Sequence, residues 1–189
     1  MADGEANPAL TDFIARFKAY FRLSHFPLDI FPAEDDWALV VKSEALIEIT
    51  LSRILETHFG TPELDDIIAR LPTGTRYGKL AFIKALKLLP ENACFFVERL
   101  TELRGTLVHD ARQLQFSLKM YFDGMASSER NNWRKALWWW LEEPPRDKPF
   151  GSIRAPTLEL MMHAFLRDTQ PEDQRDRRIE DSSPESNPT

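Results

Sequence analysis

The chain has 189 residues, of which 43% are hydrophobic and 29% are charged, and its formal net charge at pH 7 is −6. This composition is typical of one globular domain and excludes an intrinsically disordered chain. Nucleic acid is bound mainly through Lys and Arg, so the acidic balance excludes a whole-molecule attraction to phosphate backbones, although a local basic groove stays possible.

The single cysteine, Cys94, excludes an intrachain disulfide and leaves a cysteine-based metal site without partners. The first residues carry acids and no apolar stretch after a basic region, so we expect no secretory signal. Apolar runs such as ALWWWL are far shorter than the roughly 20 residues that cross a bilayer. We therefore predict no membrane segment and a cytoplasmic location.

Helical periodicity runs through the chain in segments that turn residues separate. It predicts, in chain order, helices over residues 10–22, 36–58, 61–71, 79–89, 91–114, 127–143 and 155–168. Gly60 is expected to end the first long helix, and Gly105 to interrupt the second. Only residues 113–122 alternate briefly between apolar and polar, which leaves a short strand or a helix extension open there.

These segments predict an all-α fold, a helical bundle of about six to seven helices with two long central helices. A single helical domain is expected over residues 10–168, after a flexible N-terminus over residues 1–9. Residues 169–189 are expected to form a disordered acidic tail, because they carry too few apolar side chains to offset the entropy of ordering.

The order of elements between Lys42 and Asp110 is distinctive. A long helix with acids is followed by a short lysine-bearing helix, and then by a helix that closes on Leu103-Arg104-Gly105-Thr106-Leu107-Val108-His109. This block, residues 42–110, resembles the HEPN superfamily, in particular its branch similar to the mannitol operon repressor. The superfamily motif often has Asn directly after the Arg, where this chain has Gly105. The resemblance implies a helical bundle, often a dimer, and in the catalytic branches metal-independent RNA cleavage by the Arg and His.

Arg104 and His109 are suitable residue types for that chemistry. A neutral imidazole can take the proton of the 2′-hydroxyl, and a guanidinium can hold the phosphate by two hydrogen bonds. Five residues on a straight helix separate two side chains by about 140° and roughly 7.5 Å. A shared groove therefore requires a bend at Gly105 or the pairing of two protomers. Alternatively, Arg104 pairs with Glu44, Glu48 or Glu102, and His109 caps a helix end.

Four further residues are candidates for binding. Glu44 and Glu48 are one helical turn apart and share a face, where they can do acid–base work, hold a cation, or simply form a solvated face. Tyr77 and Lys79 belong to a basic stretch that can bind phosphates, with Tyr77 stacking on a base. The alternative is an ordinary amphipathic surface in which acids interleave with that stretch: Arg76, Lys84, Lys87, Arg99, Arg104 and Arg112.

Three consecutive tryptophans, Trp138, Trp139 and Trp140, stand near the end of the predicted helix over residues 127–143. On a helix they would sweep about 200° of the circumference, so one flat core face cannot bury all three. Their position predicts either a sandwiched helix or an oligomer or partner interface, with burial within the same chain as the alternative.

The sequence favours a HEPN-like, mannitol-repressor-like interaction or regulatory protein that is non-catalytic and acts in transcription or stress control. The alternative is a metal-independent, toxin-like endoribonuclease that uses Arg104 and His109. We expect a homodimer, a protein or RNA partner, no cofactor and no bound metal.

Overall fold

The computed structural model describes residues 8–30, 35–74, 76–109, 115–143 and 153–169. Over these residues the chain is all-α and contains no strand, which confirms the predicted fold class. The described helices are α1 (Pro8–Phe21), α2 (Pro27–Ile30), α3 (Asp36–Phe59), α4 (Asp65–Arg70), α5 (Lys79–Ala85), α6 (Glu91–Val108), α7 (Leu118–Asp123), α8 (Ser127–Leu137) and α9 (Arg154–Thr169). A 3₁₀ turn over Pro62–Leu64 precedes α4.

The 24-residue helix α3 is the central element of the bundle. Asp35 caps its start by accepting a hydrogen bond from the Ala38 N–H at 2.8 Å. As predicted, Gly60 ends it: this glycine has φ of 59°, a left-handed conformation that glycine adopts without steric cost. Between these caps, α3 has buried residues from Leu39 to Leu55 and packs against α9, α6, α5, α4 and α1.

The second long helix, α6, follows Pro90 and runs unbroken through Gly105 to Val108, with His109 as its C-terminal cap residue. The predicted interruption at Gly105 is therefore wrong. Leu103 and Leu107 on either side of the glycine are both buried on the core face. Their burial outweighs the low helix propensity of one glycine, which amounts to about 1 kcal/mol.

Helix α8 ends at Leu137, so the prediction of a helix to residue 143 is also wrong. Trp138–Trp140 form a turn beyond it, in which Trp139 is buried and the other two are half-buried. The Trp139 indole N–H donates to the Pro156 carbonyl at 3.4 Å. Leaving the helix lets all three rings pack against the edge of the same core instead of sweeping around a helix.

Three other expectations are corrected or completed. Residues 118–122 of the stretch that alternates belong to helix α7 and not to a strand, and the Leu118 N–H donates to the Asp36 carboxylate at 2.9 Å. Two apolar residues of the predicted helices over residues 10–22 and 79–89, Leu10 and Leu86, are exposed and do not join the core. The predicted N-terminal segment and acidic tail lie outside the described residues, except Pro8 and Ala9, which begin α1, and Thr169, which ends α9.

None of the described helices combines the length and apolar character needed to cross a membrane.

Candidate functional site

Four of the six predicted site residues meet in one place between α3, α5 and α6. Glu44 and Glu48 project from α3, Lys79 is the first residue of α5, and Arg104 comes from α6. Together with Thr73, which hydrogen-bonds to Glu44, they form what we call the charged cluster. The sequence indicates that Glu44 and Glu48 share a face, whereas only the fold brings them to their partners.

Lys79 is held in the interior of the protein. Its side chain is 1% exposed, and its ammonium lies 2.8 Å from Glu48 Oε1 and 3.3 Å from the Ala69 carbonyl oxygen. A buried ammonium is tolerated only where a carboxylate and hydrogen bonds replace its hydration. Lys79 therefore joins α5 to α3 and is withdrawn from any ligand on the surface.

A tight loop places Lys79. The Lys79 N–H donates to the Pro72 carbonyl at 2.8 Å, and the Leu80 N–H donates to the Thr73 carbonyl at 3.2 Å. A Cβ at Gly78 would lie 2.1 Å from the Pro72 carbonyl oxygen, so no other residue fits this position without moving the backbone. The glycine-containing sequence around residue 78 thus serves close packing of the chain on itself.

Glu44 faces Arg104 across the α3–α6 interface. Arg104 Nε lies 4.0 Å from Glu44 Oε2, which is too long for a hydrogen bond and leaves attraction between charges. Burial raises the pKa of the Glu44 carboxyl, and the nearby Glu48 charge adds to this effect. The Arg104 guanidinium, the hydrogen bond from Thr73 and the Lys79 ammonium act in the opposite direction. Of the three pairings that the sequence leaves open for Arg104, the structure has the one with Glu44.

His109 lies apart from the charged cluster. It is exposed directly after the last residue of α6, and the helix runs unbroken from Arg104 to Val108. The two side chains therefore start about 140° apart around one helix axis, with roughly 7.5 Å of rise between them. The structure does not provide the bend at Gly105 that a shared groove within one chain requires.

The predicted basic stretch is largely neutralised by nearby acids. Lys84 pairs with Glu98, and Arg99 pairs with Glu102 at 3.0 Å, as Lys79 and Arg104 do within the charged cluster. Arg112 lies outside the described residues. Tyr77 is 74% exposed and does not join the cluster, and its ring already carries the Arg76 guanidinium at 5.2 Å. The described surface therefore matches the interleaved amphipathic alternative better than a phosphate-binding groove.

Sequence reasoning missed Thr73 as a residue that shapes this site, and it did not predict the packing role of Gly78. Thr73 is buried and hydrogen-bonds to Glu44, for which no spacing in the sequence gives a signal.

Among the described residues, no group of three or more His, Cys, Asp or Glu side chains is arranged to hold a metal ion. Comparison of the chain with protein-family models, with curated proteins and with solved structures finds no match.

Proposed function

We propose that this chain is a HEPN-like, non-catalytic interaction or regulatory module, similar to the mannitol operon repressor branch, that works as a homodimer. The observation that carries the proposal is that Arg104, on the unbroken helix α6, pairs with Glu44 on α3. A guanidinium that already faces a buried carboxylate is a poor phosphate clamp, because an incoming phosphate must compete with that carboxylate. The motif is thus better explained as a bond between α3 and α6.

The outer face of α5 supports the interaction role. Leu80 and Ile83 of this helix are buried, whereas Phe82 and Leu86, one turn apart, are 42% and 38% exposed. Such an apolar pair on the surface is suited to contact with another protein surface. We propose that this face contributes to the contact between two copies.

The oligomeric state tests the α5 face. We expect the full chain to have the mass of a dimer by size-exclusion chromatography with light scattering, and Phe82→Glu to give a monomer. The matched control is Ile67→Glu on α4, which places the same charge at another exposed apolar position, 58% exposed, and should leave the dimer intact. A monomeric parent protein would contradict the homodimer.

RNA cleavage in EDTA tests the absence of catalysis. We expect the purified full chain to cleave structured and unstructured RNA no faster than its His109→Ala variant. His109 is exposed, so its replacement leaves the fold intact. His58→Ala, which removes another exposed histidine, is the control for effects unrelated to the motif.

One observation favours the endoribonuclease as the second candidate. The Arg104 side chain is 43% exposed, and His109 is also exposed. Two protomers can therefore bring an Arg and a His to one groove. Cleavage in EDTA that His109→Ala abolishes and His58→Ala does not would replace our proposal with this one.

A further inference from the structure

A cleft of about 370 Å³ lies beside α9, away from the residues of the charged cluster. Its lining is mainly aromatic and apolar, and we refer to it as the aromatic cleft. The lining side chains that matter for its chemistry are Trp139, Trp140, Glu159, Met162, His163 and Leu166.

One face of α9 forms the floor of this cleft. The buried residues of α9, among them Leu160, Met161 and Phe165, lie on another face of the helix and pack into the core. Glu159, Met162, His163 and Leu166 are spaced by three, four and seven residues, so they share a second stripe of the helix. This stripe opens into the aromatic cleft, and Leu166 in it is 45% exposed.

The walls of the cleft are rings set at right angles. Trp139 and Trp140 have centroids 6.0 Å apart and planes at 85°, and Trp139 and His163 are 5.9 Å apart at 84°. The hydrogen bond from the Trp139 indole to Pro156 and the contact of Trp140 with the Trp138 ring at 5.4 Å hold these walls in place. A preformed pocket of this kind binds a ligand without first ordering its own side chains.

The charge of the lining selects the ligand. Among the described residues, the lining includes the Glu159 carboxylate but no Lys or Arg, and Glu159 forms no ion pair with any of them. The faces of aromatic rings carry negative potential and attract cations, most strongly when the cation is methylated and weakly hydrated. The Met162 thioether and the Leu166 side chain offer apolar contact for methyl groups.

From this combination we infer that the aromatic cleft binds a small organic cation with a methylated ammonium head, of about the size of choline. The two perpendicular indoles contact the methyl groups, and Glu159 supplies the countercharge. A neutral ligand of the same shape would fill the cleft but would lose both attractions.

Choline chloride is a suitable probe, with sodium chloride as the salt control. Titration into the ¹⁵N-labelled full chain should give saturable shifts of the Trp139 and Trp140 indole N–H signals. The Trp37 indole is an internal reference: it donates to the Leu107 carbonyl at 3.5 Å, and Leu107 lies 17 residues along α6 from Pro90, which borders the cleft, or about 25 Å away. Its signal should not move.

The neutral isostere 3,3-dimethylbutan-1-ol separates charge from shape. We expect it to bind at least about tenfold more weakly than choline, and Glu159→Gln to weaken choline binding by about tenfold. Trp140→Leu should abolish the saturable shift of Trp139. Glu142→Gln, which changes an exposed carboxylate outside the cleft lining, is the matched control and should bind choline as the parent does.

Three results would overturn the inference. Equal binding of choline and its neutral isostere would show an apolar pocket only. Choline binding that neither Glu159→Gln nor Trp140→Leu weakens would place the ligand elsewhere. If choline chloride causes no saturable shifts beyond those that sodium chloride causes, the cleft binds no such cation. If Trp140→Leu does not fold, Glu159→Gln alone tests whether the cleft is the site of choline binding.

Discussion

The charged cluster and the aromatic cleft differ in how their side chains are used. In the charged cluster each carboxylate faces a cation: Glu44 faces Arg104, and Glu48 faces the buried Lys79. In the aromatic cleft, the rings and the Glu159 carboxylate line open space. The charged residues of the cluster thus hold helices together, whereas the mainly apolar residues of the aromatic cleft form the more open site.

This difference follows from what burial does to charged and apolar groups. A charge that is taken out of water must find an opposite charge, so polar residues at a helix interface tend to satisfy one another. Aromatic side chains have no such requirement and can remain half-exposed, as Trp138 and Trp140 do. Charge alone is therefore a weak guide to a ligand site in this protein, and the accessibility of a charge decides what it can do.

The largest expected effect is a loss of stability when a carboxylate is removed from the charged cluster. The same change in the aromatic cleft should have little effect. Glu48→Ala removes the carboxylate that pairs with the buried Lys79 ammonium at 2.8 Å, and we expect it to lower the free energy of unfolding by about 3 kcal/mol. Glu159→Ala removes an exposed carboxylate and should change it by less than about 0.5 kcal/mol. Urea unfolding followed by circular dichroism measures both.

A double variant identifies the cause. Adding Lys79→Met to Glu48→Ala removes the unpaired buried charge and should restore most of the lost stability. Equal and small losses in Glu48→Ala and Glu159→Ala would mean that the charged cluster is not a structural bond and would break the comparison.

The next largest effect concerns the loop that places Lys79. Gly78→Ala forces a methyl group against the Pro72 carbonyl oxygen, and we expect a loss of about 2 kcal/mol. Gly74→Ala, in the same loop, meets nothing within 4 Å and is the matched control. Thermal unfolding of the two variants should show a clearly lower midpoint for Gly78→Ala only, and similar midpoints would contradict the tight packing of this loop.

The sequence was sufficient for features that depend on local geometry. The 3.6-residue period predicts α3, and its end at Gly60 is predictable because a left-handed cap residue favours glycine. Features that depend on distant contacts were not predictable. Trp139 leaves the helix to reach the Pro156 carbonyl, and α6 continues through Gly105 because its flanking leucines are buried.

The same division applies to the candidate site. The spacing of Glu44 and Glu48 places them on one face, and a pairing between Glu44 and Arg104 could be named from the sequence as one of three alternatives. That Lys79 would be buried, and that Thr73 would join Glu44, depends on how the loop before α5 folds against α3. Neither the loop geometry nor the burial has a periodic signal in the sequence.

A smaller effect tests the continuity of α6, which separates Arg104 from His109. Gly105 lies inside the helix, and a Cβ there meets nothing within 4 Å, so Gly105→Ala should stabilise the protein by about 1 kcal/mol. Gly60→Ala should destabilise it by a similar amount, because residue 60 has φ of 59°. A Gly105→Ala variant that loses stability in urea unfolding would indicate a bend at this position and would revive a groove shared by Arg104 and His109.

The smallest effect is a pH dependence within the charged cluster. Burial raises the pKa of Glu44 above its ordinary value of 4.5, so the folded protein holds this proton to a higher pH than the unfolded chain does. The resulting stability is fully present below about pH 4.5 and is lost as the pH rises through the raised pKa. Glu44→Gln has no proton to lose there. The unfolding free energy of the parent minus that of Glu44→Gln should therefore fall between pH 4 and pH 7, as measured by urea unfolding across this range. A difference that grows with pH would mean that the Arg104 guanidinium outweighs burial, so that the carboxylate is the favoured form and the pair with Arg104 is stronger than its 4.0 Å separation implies.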